Sequence, residues 1–165
     1  MRTSLFNMTI DLLSCSRQHI ELKITVINNT PRDYWIDNSV FFKHGISLGS
    51  GVEILGPSHI PCIPNPLQYS DNSRSLIESG HSGSGISSVT RYCNFKHVHA
   101  GHYVLTIHKA VALYDTVASP VVGMVPLIAE LNFTLTEENH VRLSDALSGQ
   151  NSDALSGQNS LEIPL

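Results

Sequence analysis

One segment constrains the fold of this chain more than any other: residues 95–107, with the sequence FKHVHAGHYVLTI. An apolar residue and a short turn are followed by Ala100-Gly101, and then by Tyr103 at the head of an alternating strand. This order is typical of a tyrosine corner, in which the phenol hydroxyl hydrogen-bonds back across a loop and fixes one end of a β-sandwich. The segment therefore predicts an all-β fold and gives Gly101 and Tyr103 structural roles.

Alternation of apolar and polar residues predicts the remaining strands. The clearest runs from Ile20 to Val26, and others are predicted at 5–13, 34–42 (bent at 37–38), 52–55, 75–79, 86–92, 102–114 and 127–135. Residues 80–85 are predicted to form a flexible turn, and Pro120 and Pro126 to bracket a connection. The pattern favours an immunoglobulin-like antiparallel β-sandwich of about 7–9 strands. The alternative fold is a small β-barrel or a cupin-like jelly roll.

Composition and charge limit the partners and the location. The 165 residues carry a net charge of −4 and no cluster of Lys or Arg, which argues against non-specific nucleic-acid binding. The octapeptide SDALSGQN occurs twice, at 144–151 and 152–159, which predicts a sandwich domain over 1–143 and a polar tail over 144–165. Asn7, Thr9 and Asp11 interrupt any signal-peptide core, and no apolar run is long enough to insert into a membrane, so a cytoplasmic location is expected. The oligomeric state stays open.

The three cysteines, Cys15, Cys62 and Cys93, are odd in number and widely spaced, without a C-x-x-C pair. This pattern predicts buried free thiols rather than a disulfide framework. One bridge with a spare thiol is the alternative.

A group of histidines is the sharpest candidate for a chemical site. His97 and His99 have the His-x-His spacing by which an extended segment presents two imidazoles on one face, and His102 and His108 follow. Such a set would bind Zn or another transition metal, although no carboxylate follows closely enough to complete it as in a cupin. The alternative is a group of loop histidines with no cofactor.

Motifs for catalysis are incomplete. Gly80-His81-Ser82-Gly83-Ser84 differs from a nucleophile elbow at its last position, and an all-β chain lacks the strand-to-helix turn that the elbow needs. No His is followed by Glu, so the commonest zinc-protease helix is absent. We therefore expect a protein that is not an enzyme.

Aromatic residues and a Pro-rich loop over 56–72 suggest a surface that binds another protein, because Tyr and Trp make good interface anchors. The candidate partner-binding residues are Tyr34, Trp35, Phe41, Phe42, Pro64 and Tyr69. For Trp35, a place in the sandwich core is the alternative.

The order of signals from Ile20 to Lys109 resembles the β domain found N-terminal to deuterolysin-type metallopeptidases. The similar pieces are 22–30 (LKITVINNT), an aromatic stretch, a long loop, 89–95 (VTRYCNF) and 101–105 (GHYVL). The resemblance implies an immunoglobulin-like sandwich without the protease domain, and it carries over no catalytic residue. We expect a non-enzymatic protein-binding module of the inhibitor or immunity-protein kind. A metal-binding protein or metal-dependent enzyme that uses the histidines is the alternative.

Overall fold

A computed structural model describes residues 4–43, 45–49, 51–64 and 73–137. The described residues form two antiparallel sheets packed against each other. Their strands are β1 (Phe6–Cys15), β2 (Ile20–Asn28), β3 (Tyr34–Asp37), β4 (Val52–Leu55), β5 (Arg74–Ile77), β6 (Ser82–Ser88), β7 (Gly101–Tyr114) and β8 (Val121–Leu135), with one 3-10 turn at Asn38–Phe41. The prediction of an all-β antiparallel sandwich is confirmed. The proposed boundary at residue 143 and the repeated tail lie outside the described residues.

The smaller sheet has the order β1-β2-β6. In β2 the apolar residues alternate strictly with polar ones, and Ile20, Leu22, Ile24 and Val26 are all fully buried. Because alternate side chains of a strand lie on the same side of a sheet, these four apolar residues all face the core. The strand thereby forms one wall of the core.

The larger sheet is organised around β7, the strand headed by the tyrosine corner. β8 pairs along one edge of β7, from Gly101 opposite Leu135 to Tyr114 opposite Val121. β4 and β3 share the other edge of β7, and β5 pairs with β3. The odd-numbered residues of both long strands point into the core over most of their length, so the even-numbered ones form the outer surface of the sheet.

The tyrosine corner is confirmed. The Tyr103 hydroxyl donates a hydrogen bond of 2.6 Å to the His99 carbonyl, and the Tyr103 side chain is fully buried. Gly101 has a φ of +143°, and a Cβ at this position would lie 2.7 Å from Pro57 Cγ, so both its backbone angle and its close packing favour glycine. A buried ring contact completes the corner, since Tyr103 stacks on Phe133 with 5.8 Å between centroids.

A buried arginine that sequence reasoning did not single out supports the same loop. Arg17 is 1% exposed, and its Nη1 donates hydrogen bonds of 2.8 and 2.7 Å to the carbonyls of Phe95 and Val98. A third bond, of 3.4 Å, joins Nη2 to the Thr136 carbonyl. The guanidinium therefore ties the loop before β7 to the residue that follows β8.

Four predictions about local structure are wrong. The second half of the predicted strand over 34–42 is the 3-10 turn, followed by Phe42 in a left-handed conformation with φ of +51°. The predicted turn at 80–85 instead contributes most of β6, and the strand expected to continue to residue 92 ends at Ser88. Pro126 lies inside β8 rather than beside a connection. It is tolerated there because, within the described part of the chain, β8 pairs with β7 alone, and an edge strand can leave one N–H position unused.

The prediction of three free thiols is also wrong. Cys62 and Cys93 form a disulfide, and only Cys15 remains free among the described cysteines. The two residues face each other as an isolated antiparallel bridge, a contact made by the fold between positions 31 residues apart. The alternative of one bridge with a spare thiol is the observed arrangement. In the described residues, no helix has the length and apolar character needed to cross a membrane.

Candidate binding surfaces

The first half of the Pro-rich loop is fixed against the segment before β7. Besides the disulfide, the Ile63 amide donates to the Tyr92 carbonyl and the Asn94 amide to the Pro61 carbonyl, both at 2.8 Å. The His99 amide donates to Ser58 Oγ at 2.7 Å. These bonds give residues 58–63 a defined course, so this part of the loop is a shaped surface rather than a loose insertion.

A shallow cleft of about 220 Å³ lies between this loop and the segment before β7. It is lined by Ser58, His59, Pro61, Asn94, His97 and Val98. The cleft is small beside ordinary ligand pockets, which enclose roughly 300–1,000 Å³. It also brings His59 and His97 to one place, a pair that the sequence spacing does not suggest.

The histidines singled out from the sequence occupy separate places. His97 lines the cleft, whereas His99 is exposed and uses its backbone in the tyrosine corner. His102 Nε2 lies 2.9 Å from Asn132 Oδ1, and His108 is exposed opposite Ile128. Among the residues that the structure describes, no three His, Cys, Asp or Glu side chains are grouped as metal ligands would be.

The aromatic residues proposed as partner contacts are not one exposed group. Phe41 and Phe42 are each 2% exposed and belong to the core, so their expected role at a surface is wrong. Tyr34 and Trp35 are half-buried in β3, and the ring of Tyr34 packs against that of Phe6 with 6.1 Å between their centroids. Of the two loop residues, Pro64 is exposed and Tyr69 lies outside the described residues.

A run of exposed apolar side chains lies instead on the outside of the larger sheet. We define the β7–β8 outer face as Met124, Pro126 and Ile128 with their cross-strand neighbours Ala112, Ala110 and His108. Met124 is 58% and Ile128 63% exposed. Val121 and Val122, at the start of β8, are exposed beside them. Farther along the strand the outward residues become polar, at Glu130, Asn132 and Thr134.

The sequence contains a signal for this face. Residues 121–129 (VVGMVPLIA) are apolar at both odd and even positions, so a strand here cannot bury all of them against one core. The polar alternation that predicts the strand begins only at Glu130. The prediction that Pro126 ends a connection leaves the apolar half of β8, from Val121 to Pro126, outside the predicted strand.

Two titratable groups are shifted by burial. Desolvation lowers the pKa of Lys109, whose Nζ lies 5.0 Å from the centre of the Phe42 ring. Desolvation raises the pKa of the Cys15 thiol, which lies 3.9 Å from the Thr134 carbonyl. Both pKa shifts reflect the cost of burying a charge. The raised pKa leaves the Cys15 thiol less reactive than an exposed thiol.

No protein-family model matches this chain, and the search of curated proteins finds no match either.

Proposed function

We propose that this protein is a non-enzymatic module that binds another protein through the β7–β8 outer face. The observation that carries the proposal is the pair Met124 and Ile128, two large apolar side chains more than half exposed at outward positions on either side of Pro126 in one strand. Contiguous exposed apolar patches with a polar border mark interaction sites in otherwise ordinary domains.

The form of this face favours a protein partner over a small molecule. A sheet surface is broad and gently twisted, whereas small ligands need a concave site that covers most of their own surface. The polar residues Glu130 and Asn132 lie next along β8, giving the apolar centre and polar border that protein interfaces have. In this proposal the chain itself is an inhibitor or immunity-type protein that acts on its partner.

Energy considerations support the same face. Covering a side chain such as Ile or Met contributes about 1.5–3 kcal/mol when burial is complete. Because Met124 and Ile128 are each more than half exposed in the folded protein, folding alone leaves much of this free energy of burial unrealised. A partner could bury these side chains without a rearrangement of the β8 backbone, because β8 is paired with β7 along its whole length.

The immunoglobulin-like character of the sandwich is part of this proposal. The tyrosine corner and the two antiparallel sheets support it. The disulfide favours an oxidising compartment over the cytoplasm expected from sequence, because structural disulfides persist where thiols are not kept reduced.

Affinity capture from the native source, with bound proteins identified by mass spectrometry, tests the proposal. The variants are Ile128→Glu and the matched control Ile63→Glu, because both isoleucines are 63% exposed and only Ile128 lies on the β7–β8 outer face. We expect one stoichiometric partner that is lost with Ile128→Glu and kept with Ile63→Glu. Loss with Ile63→Glu alone would place binding on the Pro-rich loop, and the absence of any stoichiometric partner would overturn the proposed function.

A further inference from the structure

The smaller sheet ends in an unpaired edge strand. Its order is β1-β2-β6, and among the strands that the structure describes β6 pairs with β2 alone. At the opposite end of the sheet, β1 lies against β8, and β6 in turn lies near the 3-10 turn and β5 without pairing to them. An edge strand leaves a row of N–H and C=O groups ready to pair with another strand.

The hydrogen-bond pattern shows which residues face outward along this edge. The Asn28 amide donates to the His81 carbonyl and the Val89 amide to the Ile20 carbonyl, so odd-numbered residues bond toward β2. The even-numbered residues therefore direct their backbone groups away from β2, because the two directions alternate along an antiparallel strand. Ser88 confirms this, since its carbonyl accepts from the Ile46 amide outside the ladder.

Three residues remain with outward backbone groups: Ser82, Ser84 and Ile86. All three are exposed, and no other described strand pairs with them. Inside the sandwich, a Cβ on Gly83 would lie 3.1 Å from Ile77 Cδ1 and 3.3 Å from Phe41 Cζ. A Cβ on Gly85 would lie 2.9 Å from Phe41 Cβ and 3.1 Å from Lys43 Cε. These side chains close the inner side, so the lateral edge is what β6 offers to a second strand.

The residues of β6 itself lack the usual protection against pairing, although the Lys43 side chain lies beside Gly85. Natural edge strands are shortened, charged or interrupted by Pro or bulges. β4 and β5 have four residues each and carry Glu53 and Arg74, whereas β6 has seven residues with neither charge nor proline.

We propose that β6 pairs antiparallel with β6 of a second copy of this chain. The outward groups are symmetric about Ser84, so a two-fold axis there sets Ser84 opposite its own copy and Ser82 opposite Ile86. Each facing pair exchanges both backbone hydrogen bonds, and no charged side chain of the strand meets its like. The two smaller sheets become one continuous sheet.

The inference does not depend on the proposed function, since the β7–β8 outer face belongs to the other sheet. If both hold, the dimer presents two such faces, and a partner with two sites would bind with the added strength of bivalency.

Sedimentation velocity over a range of concentrations tests the pairing. Ser84→Pro removes the outward N–H while leaving the bonds to β2 intact, and Ser84→Ala is the matched control that keeps the N–H. We expect a reversible dimer in the wild type and in Ser84→Ala, and in Ser84→Pro a dissociation constant higher by roughly thirtyfold, for two lost hydrogen bonds. A wild-type monomer at all concentrations, or a dimer unaffected by Ser84→Pro, would overturn the proposal.

Oxidative cross-linking tests the register without a risk to folding. In a Cys15→Ser background, Ser84→Cys places two thiols opposite each other at a Cα separation of about 5.5 Å, within disulfide range. Ser82→Cys is the control, because its own copies lie about 13 Å apart in this register. Cross-linked dimer with Ser84→Cys alone supports the pairing; equal cross-linking of both variants, or of neither, contradicts it.

Discussion

Replacing Tyr103 with Phe removes one oxygen from the tyrosine corner and leaves the ring in place. The hydroxyl donates a 2.6 Å hydrogen bond to the His99 carbonyl, and the side chain has no exposed surface. Stacking on Phe133 is kept in the variant. The change therefore isolates the hydrogen bond of the tyrosine corner from the packing around it.

The magnitude follows from the burial of this bond. Removing one partner leaves a carbonyl without its donor, which costs about 1–3 kcal/mol. Because the His99 carbonyl lies toward the surface and water can reach part of this loop, we expect about 1–2 kcal/mol. For a domain of this size, that corresponds to a fall in Tm of about 3–6 °C.

Urea denaturation followed by tryptophan fluorescence measures the effect, with Tyr34→Phe as the control. Tyr34 is half-buried, and its hydroxyl has no hydrogen bond to another described residue. We expect Tyr103→Phe to lower the urea midpoint by about 0.5–1 M with an unchanged slope, and Tyr34→Phe to leave it within error. Equal midpoints for the two variants would refute the argument that the corner hydrogen bond stabilises the fold.

Three other substitutions test separate parts of the structure. Cys93→Ser should lower the free energy of unfolding by about 3–4 kcal/mol, since the lost bridge closes a loop of 31 residues; adding reductant to the wild type should reproduce the loss, and a stable reduced protein would contradict it. Arg17→Ala should lower the free energy of unfolding, measured by urea titration, by about 3 kcal/mol or more, because two loop carbonyls lose their hydrogen-bond donor and a cavity opens. An unchanged free energy of unfolding would show that the guanidinium does not hold the loop. Lys109→Met should raise Tm at neutral pH. The Tm advantage of Lys109→Met should shrink as pH rises toward 10.5, because Lys109 loses its proton in the folded wild type before it does in the unfolded chain, which stabilises the folded wild type. A lower Tm for the variant would mean that the contact between the Lys109 cation and Phe42 outweighs the cost of desolvation.

The parts of the fold that the sequence predicts well are those where one local pattern suffices. In β2, the strict alternation of apolar residues has only one arrangement that buries them all on one face. Near β7, the glycine and tyrosine of the corner are two residues apart, so their joint role is visible in a short window. Each of these elements is specified by neighbours along the chain.

The errors occur where distant contacts decide the structure. β6 is rich in Gly and Ser, which have little strand preference, and it is held extended by the ladder with β2 and by Phe41 against its glycines. Phe41 and Phe42 are both buried because a left-handed residue allows consecutive side chains to point inward, which a strand forbids.

The same reasoning explains which parts of the candidate site were missed. The disulfide partners are 31 residues apart with β5 and β6 between them, so no local spacing encodes their contact. Met124 and Ile128 are outward-facing only because β8 extends back through Pro126, which an edge position alone permits. A proline at an edge and a proline at a turn have the same appearance in sequence.

The most direct test of protein binding through the β7–β8 outer face is hydroxyl-radical footprinting of the captured complex against the free protein. Met124 is well exposed and readily oxidised, while the buried Met8 serves as an internal reference. The account predicts that Met124 oxidation falls severalfold in the complex while Met8 is unchanged. Equal oxidation of Met124 in both states, with protection elsewhere on the surface, would contradict it.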